Sequence, residues 1–112
     1  MTDRRLKSGM LIQAGVRMCS SRGVSATVVR RGDPDGGVIY IKINRFEYGC
    51  VVLSQVRMEG GQLVWLRATG EHPVTEVDAD DYIQRQVKYD PDLWVLEVED
   101  REGRNPFEDP VV

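Results

Sequence analysis

The chain has 112 residues, of which 41% are hydrophobic and 29% charged, a composition typical of one folded domain and unlike that of disordered or fibrous proteins. No apolar run approaches the ~18 residues that a membrane span needs, and no secretory core follows the start, so we expect a soluble cytoplasmic protein without a membrane partner. The net charge of −3 conceals an uneven distribution: residues 1–67 carry 11 Lys and Arg against 5 Asp and Glu, and residues 68–112 carry 4 against 13. We expect the two halves to neutralise each other on folding.

The first predicted element is a helix over residues 6–22, with Ser8 as N-cap and Gly23 as its left-handed stop. Its apolar residues cover a wide arc and leave only a narrow polar stripe around Arg17. A helix with so wide an apolar arc needs cover on more than one side. That cover comes from the same chain or from a second copy, so a homodimer is left open.

Four strands are predicted next, over residues 26–31, 38–44, 50–57 and 62–68. The first two are separated by Gly-Asp-Pro-Asp-Gly-Gly, a combination typical of a tight turn. The last two are separated by Gly60-Gly61, which predicts a two-residue hairpin loop. Short connections of this kind favour an antiparallel meander of the four strands.

A second helix is predicted to begin after Thr75, an N-cap with Asp78 three residues later. Pro91 ends it, and a last strand follows over residues 93–99. The order α-β-β-β-β-α-β predicts an α+β fold, a mainly antiparallel sheet of about five strands with both helices packed on one face. We expect a single domain over residues 1–112, in which residues 104–112 are a loose tail unless Phe107 attaches them.

Few residues offer catalytic chemistry. His72 is the single histidine and is expected to be solvated, and Cys19 and Cys50 are expected to be reduced packing residues. The sequence has no nucleophile motif and no phosphate-binding loop, so we predict no catalytic residue, no cofactor and no metal ligand. The alternative is a small metal-dependent hydrolase that uses Asp33 and Asp35, or the acidic cluster formed by Asp90, Asp92, Glu97, Glu99 and Asp100.

The basic first half supports a second alternative, in which the protein associates with nucleic acid or the ribosome through phosphate contacts. Aromatic residues for base stacking are scarce in this half, with Tyr40 and Phe46 as the candidates, and no ribonucleoprotein strand motif surrounds them. We therefore favour a protein partner over nucleic acid.

Three stretches of the sequence carry a resemblance to a known family. They are Arg5-Leu6-Lys7-Ser8, residues 28–37 (VVRRGDPDGG) and residues 82–103 (YIQRQVKYDPDLWVLEVEDREG). Together they resemble the small bacterial family named domain of unknown function 1491, over nearly the whole chain. The resemblance implies a complete single-domain member in a bacterial cytoplasm, and it brings no activity, ligand or site residue with it.

These observations lead to one functional hypothesis, a non-catalytic cytoplasmic protein-interaction module. Arg and Trp are the residue types that most often anchor protein interfaces, and they fall in two segments of this chain. The candidate interaction residues are Arg30, Arg31, Asp33 and Asp35 on the predicted hairpin, and Arg85, Asp90, Asp92 and Trp94 at the junction between helix and last strand.

Overall fold

The computed structural model describes residues 7–107 and 109–112. Its elements are α1 (Ser8–Ser21), β1 (Ser25–Arg30), β2 (Ile39–Asn44), β3 (Cys50–Arg57), β4 (Leu63–Arg67), α2 (Glu76–Tyr89) and β5 (Trp94–Glu99). Short 3-10 turns lie at Phe46–Tyr48 and Glu59–Gly61. The α+β class and the element order are confirmed.

The five strands form one sheet in the order β1-β5-β2-β3-β4. Strand β5 pairs antiparallel with β1 and parallel with β2, so the sheet is mixed. The antiparallel meander is confirmed for β2, β3 and β4, but the predicted hairpin between β1 and β2 is wrong because β5 separates them. The predicted two-residue loop at Gly60-Gly61 is also wrong, since the chain needs residues 58–62 to pass from β3 to β4.

The two helices lie on opposite faces of the sheet, which corrects the expectation that they share one. On one face, Ile12 and Cys19 of α1 pack with Ile41 and other core residues of the sheet. On the other face, Ala79 and Ile83 of α2 pack with a second core cluster. Alternate residues of a strand point to opposite faces, so the central strands β2 and β5 are buried on both sides.

The helix ends confirm part of the sequence interpretation. Thr75 caps α2, because its hydroxyl oxygen accepts a 3.1 Å hydrogen bond from the Asp78 N–H. Gly23 follows α1 with φ +71°, the left-handed conformation that ends a helix. Ser8 is not the N-cap of α1: Lys7 takes that position, and the Ser8 hydroxyl donates instead to the carbonyl oxygen of Gly37.

The C-terminal segment is attached to the sheet by Phe107, whose ring stacks on Trp65 with 5.3 Å between centroids. Further along the chain, the backbone N–H of Trp65 donates to the carbonyl oxygen of Pro110 at 2.9 Å, and the backbone N–H of Val112 donates to the carbonyl oxygen of Trp65 at 2.8 Å. This segment therefore covers the outer edge of β4. The outer edge of β1 pairs with no strand in the described part of the chain.

Neither helix of the described residues has the length and apolar character to cross a bilayer.

Candidate functional site

The two segments chosen from the sequence meet in space. Residues 31–37, which follow β1, lie against residues 90–94, which lead into β5, and we call this contact the junction. The Asp33 N–H donates to the carbonyl oxygen of Asp92 at 2.8 Å, and the indole N–H of Trp94 donates to the carbonyl oxygen of Asp33 at 2.7 Å. The Arg30 guanidinium also reaches this region, donating to the carbonyl oxygen of Pro91 at 2.6 Å.

Two glycines allow the backbones at the junction to approach this closely. A Cβ atom at Gly32 or at Gly37 would overlap the carbonyl oxygen of Asp92. Any side chain would therefore push the two segments apart. The Gly-rich composition of residues 32–37, interpreted from sequence as a turn requirement, also serves a long-range backbone contact.

The carboxylates of the junction are used to shape turns. Asp33 accepts a 3.0 Å hydrogen bond from the Gly36 N–H, and Asp90 accepts a 3.1 Å bond from the Asp92 N–H. Asp35 forms an exposed ion pair with Lys7 at 3.5 Å. Within residues 7–107 and 109–112, no group of three or more His, Cys, Asp or Glu side chains is arranged to hold a metal ion.

A groove lies between α1 and the junction. The helix is attached at its N-terminal end, where the Gly9 N–H donates to the carbonyl oxygen of Pro34 at 2.9 Å. The groove has a volume of about 510 Å³, a size that suits a ligand or an inserted side chain. Its apolar lining residues are Met10, Ile12, Val16, Val28, Pro34 and Trp94. Its polar and charged lining residues include Lys7, Gln13, Arg17, Arg31 and Asp35.

The charged rim of the groove is basic. The Arg31 guanidinium lies 5.7 Å from the centroid of the Trp94 ring, within the range of a cation–π interaction. Among the described residues, no carboxylate forms an ion pair with Arg17 or Arg31, whereas Lys7 is paired with Asp35. The groove thus combines an apolar floor with two arginines that have no ion-pair partner among the described residues.

Three candidate residues, Arg30, Arg85 and Trp94, do not lie on the rim of the groove. Between Val28 and Arg30 the pairing with β5 shifts register, and this bulge turns the Arg30 side chain to the α2 face of the sheet. Arg85 is exposed on α2, and no hydrogen bond or ion pair of the described residues joins it to the junction. Trp94 is only 3% exposed, so it belongs mainly to the core.

On the α2 face, Lys42 is buried with its ammonium group among three carboxylates. Its Nζ lies 2.7 Å from Asp80, 2.8 Å from Glu76 and 3.6 Å from Glu97. Burial alone would lower the pKa of Lys42, but the hydrogen bonds to Asp80 and Glu76 outweigh it, so the pKa is raised above its ordinary value. Glu97, a member of the acidic cluster considered from the sequence, faces this lysine and is only 23% exposed.

The other residues weighed for chemistry lie apart from the groove. His72 is exposed, as predicted from its loop. Cys19 and Cys50 are buried free thiols, and burial raises the pKa of each above its ordinary value. A raised pKa keeps a thiol protonated and unreactive, which agrees with a packing role.

Six α1 residues that line the groove were not among the candidate interaction residues: Gly9, Met10, Ile12, Gln13, Val16 and Arg17. The available signal was the apolar arc of α1, which is wider than one sheet contact can cover. Met10 lies on that arc and remains 54% exposed at the mouth of the groove. The part of the α1 apolar surface that the sheet does not cover therefore lies at the groove.

The chain is similar to several solved structures. The sequence profile of the family described as protein of unknown function (DUF1491) matches residues 6–108. A crystal structure of a DUF1491 family protein from Caulobacter crescentus CB15 is 32% identical with a TM-score of 0.86, covering 96% of this chain and 100% of that one. A solution structure of an A. tumefaciens protein is 21% identical with a TM-score of 0.72, covering 86% of each chain, and supports the fold alone. A search of curated proteins finds no match.

Proposed function

Since the chain belongs to the DUF1491 family, whose description assigns no function, its role has to be inferred from its own surface, and we propose that it is a non-catalytic, cytoplasmic protein-interaction module. The binding site is the groove between α1 and the junction. The observation that carries the proposal is the combination of an apolar floor with Arg17 and Arg31 among the lining residues of the groove.

Two contacts hold Trp94 and Arg31 in position at the groove. Trp94 is held by its hydrogen bond to Asp33, and its ring in turn supports the Arg31 guanidinium. A guanidinium held against an aromatic ring loses less side-chain entropy when it binds a carboxylate, which strengthens recognition. This support favours a binding role for Arg31 over a purely solvated one.

The chemistry of the groove selects the partner. Met10 and the apolar floor fit an aliphatic or aromatic side chain, whereas Arg17 and Arg31 fit carboxylates on either side of it. We therefore expect a partner protein that presents an acidic segment with one apolar anchor residue. Charge attraction of this kind increases the association rate and makes binding sensitive to salt.

Affinity capture from the native cytoplasm tests the proposal, with the extract split into nuclease-treated and untreated halves. Three forms of the tagged protein are compared: wild type, the double variant R17E/R31E, and the matched control R85E, whose arginine is exposed away from the groove. We expect one acidic protein in near-stoichiometric amount with wild type and R85E, from both halves, and its loss with R17E/R31E.

Other outcomes reject the proposal. Recovery that depends on untreated extract would assign the basic half to nucleic acid instead. Recovery that R17E/R31E leaves unchanged would place the partner outside the groove. Circular dichroism of R17E/R31E establishes that the double variant is folded before its binding is interpreted.

A further inference from the structure

The two edges of the sheet differ in a way that extends the proposal. The edge of β4 is covered by the C-terminal segment of the same chain, through hydrogen bonds of Trp65 with Pro110 and Val112. The edge of β1 has no strand partner within residues 7–107 and 109–112. In an edge strand, alternate residues turn both their N–H and C=O outward, and these groups accept a further strand.

The open edge lies alongside the groove. Val28 of β1 and Arg31, which follows β1, both line it. Val28 is paired with Leu96 in the sheet, and both side chains point to the α1 face. A strand added to β1 would therefore direct every second side chain toward the groove.

The opposite face of the same edge has the opposite charge character. Thr27 is paired with Glu97, and both point to the α2 face. A cavity of about 350 Å³ on this face is lined by three carboxylates, those of Glu76, Asp80 and Glu97. Two cations also line this cavity: Lys42 is paired with the carboxylates, and Arg30 donates to the carbonyl oxygen of Pro91. Residues of an added strand that point this way would meet a surface on which three carboxylates face two cations.

We propose that the partner segment binds in extended conformation as an added strand on β1, with acidic and apolar side chains alternating with basic ones. This inference rests on the proposed function, because the apolar anchor of the segment occupies the same groove. The register shift after Val28 ends the regular edge at Ser25–Val28, so the added strand is short. Backbone hydrogen bonds supply affinity in this mode and alternate side chains supply specificity.

The probe is a capped synthetic peptide of about seven residues, Thr-Asp-Lys-Leu-Lys-Asp-Thr, a length typical of a short strand. It reads the same in both directions, so parallel and antiparallel addition present the same side chains. The composition control, Thr-Asp-Asp-Leu-Lys-Lys-Thr, breaks the charge alternation. A further form carries a backbone N-methyl group on every residue, so that neither strand direction leaves an N–H group to face β1.

Binding is followed by amide chemical shifts and hydrogen exchange of Ser25–Val28. We expect the alternating peptide to bind with a Kd of about 0.1 mM, as for a small transient contact, and the composition control to bind at least about tenfold more weakly. The fully N-methylated form should lose binding, because it has no N–H group to turn toward β1 in either strand direction.

Each contrary result overturns strand addition. Binding of the fully N-methylated form equal to that of the unmethylated peptide would show that side chains alone make the contact, and absence of binding at about 1 mM would show that the edge does not accept this strand. A protein dimer that protects the Ser25–Val28 amides in sedimentation and exchange measurements would assign the edge to a second copy. The capture experiment with R17E/R31E is independent of these results, so the groove proposal can survive the failure of strand addition.

Discussion

The indole N–H of Trp94 donates a 2.7 Å hydrogen bond to the backbone carbonyl oxygen of Asp33, a residue 61 positions earlier in the chain. This bond joins the segment after β1 to the start of β5, and it orients the ring that supports Arg31. A side chain that is nearly buried therefore positions one that is exposed. Core and candidate binding surface are connected at this point.

Trp94→Phe keeps an aromatic ring but leaves the Asp33 carbonyl oxygen without this donor. Trp65→Phe is the matched control, since Trp65 is also buried and its Nε1 has no hydrogen-bond partner among the described residues. We expect Trp94→Phe to lower the free energy of unfolding by about 1–2 kcal/mol more than Trp65→Phe. Urea denaturation measures both, and equal losses would contradict a stabilising role for the bond.

Gly37→Ala is expected to destabilise the protein by at least about 2 kcal/mol, because its Cβ would overlap the carbonyl oxygen of Asp92. Gly36→Ala is the neighbouring control: its Cβ would have only Asp33 within 4 Å, at 3.7 Å, and its φ is not in the left-handed region. We expect Gly36→Ala to stay within about 1 kcal/mol of wild type. Thermal unfolding compares the two, and a Gly37→Ala protein of unchanged stability would refute the close contact.

Lys42→Met removes the cation between Glu76, Asp80 and Glu97, and we expect a loss of about 1–3 kcal/mol. Because the pKa of Lys42 is raised by folding, its contribution is complete below the ordinary lysine pKa of about 10.4 and is lost as pH rises through the folded value. The difference from wild type should therefore be constant from neutral pH to about pH 10 and shrink above it. Lys88→Met, on the exposed last turn of α2, is the surface control for the loss of one ammonium group.

Asp100 makes a corresponding contribution, which is lost at acidic pH. The Arg104 side chain donates to the Asp100 carboxylate at 3.0 Å and lowers the pKa of that carboxyl below its ordinary value. The stabilisation is present above the ordinary Asp pKa of about 3.9 and is lost as pH falls through the folded value. In denaturation series from pH 7 to about pH 2, the free energy of unfolding of Asp100→Asn should therefore fall less with pH than that of wild type, and an equal fall would contradict this contribution.

Local signals in the sequence were sufficient for the elements themselves. The Thr75 cap and the stop at Gly23 depend on neighbouring residues, and both are confirmed. The position of β5 between β1 and β2 depends on pairing across 65–74 residues with β1 and 55 residues with β2, for which no local signal exists. One clue was present in Trp94, Val95 and Leu96, an unbroken apolar run typical of a strand buried on both faces.

The candidate residues likewise divide into those with a local sequence signal and those without one. Turn chemistry and the choice of Arg and Trp selected most of the junction, including Asp33, Asp92 and Trp94. Arg17 was counted only among the basic residues of the first half, because a polar residue on a helix stripe has the same sequence pattern whether it faces solvent or borders a groove. Lys42 likewise has no local signal of burial, and only the position of α2 over the strand shows why it is buried.

The central place of β5 has a consequence for biosynthesis. This strand is the last of the five to leave the ribosome, yet it lies between β1 and β2. While it is still in the exit tunnel, β1 has no neighbour in the sheet, although β2, β3 and β4 can already pair. Non-local pairing of this kind slows folding, because a long loop must close before the contacts form. A nascent chain that stalls before residue 94 therefore exposes β1 and one edge of β2, the surfaces most open to misassembly and chaperone capture.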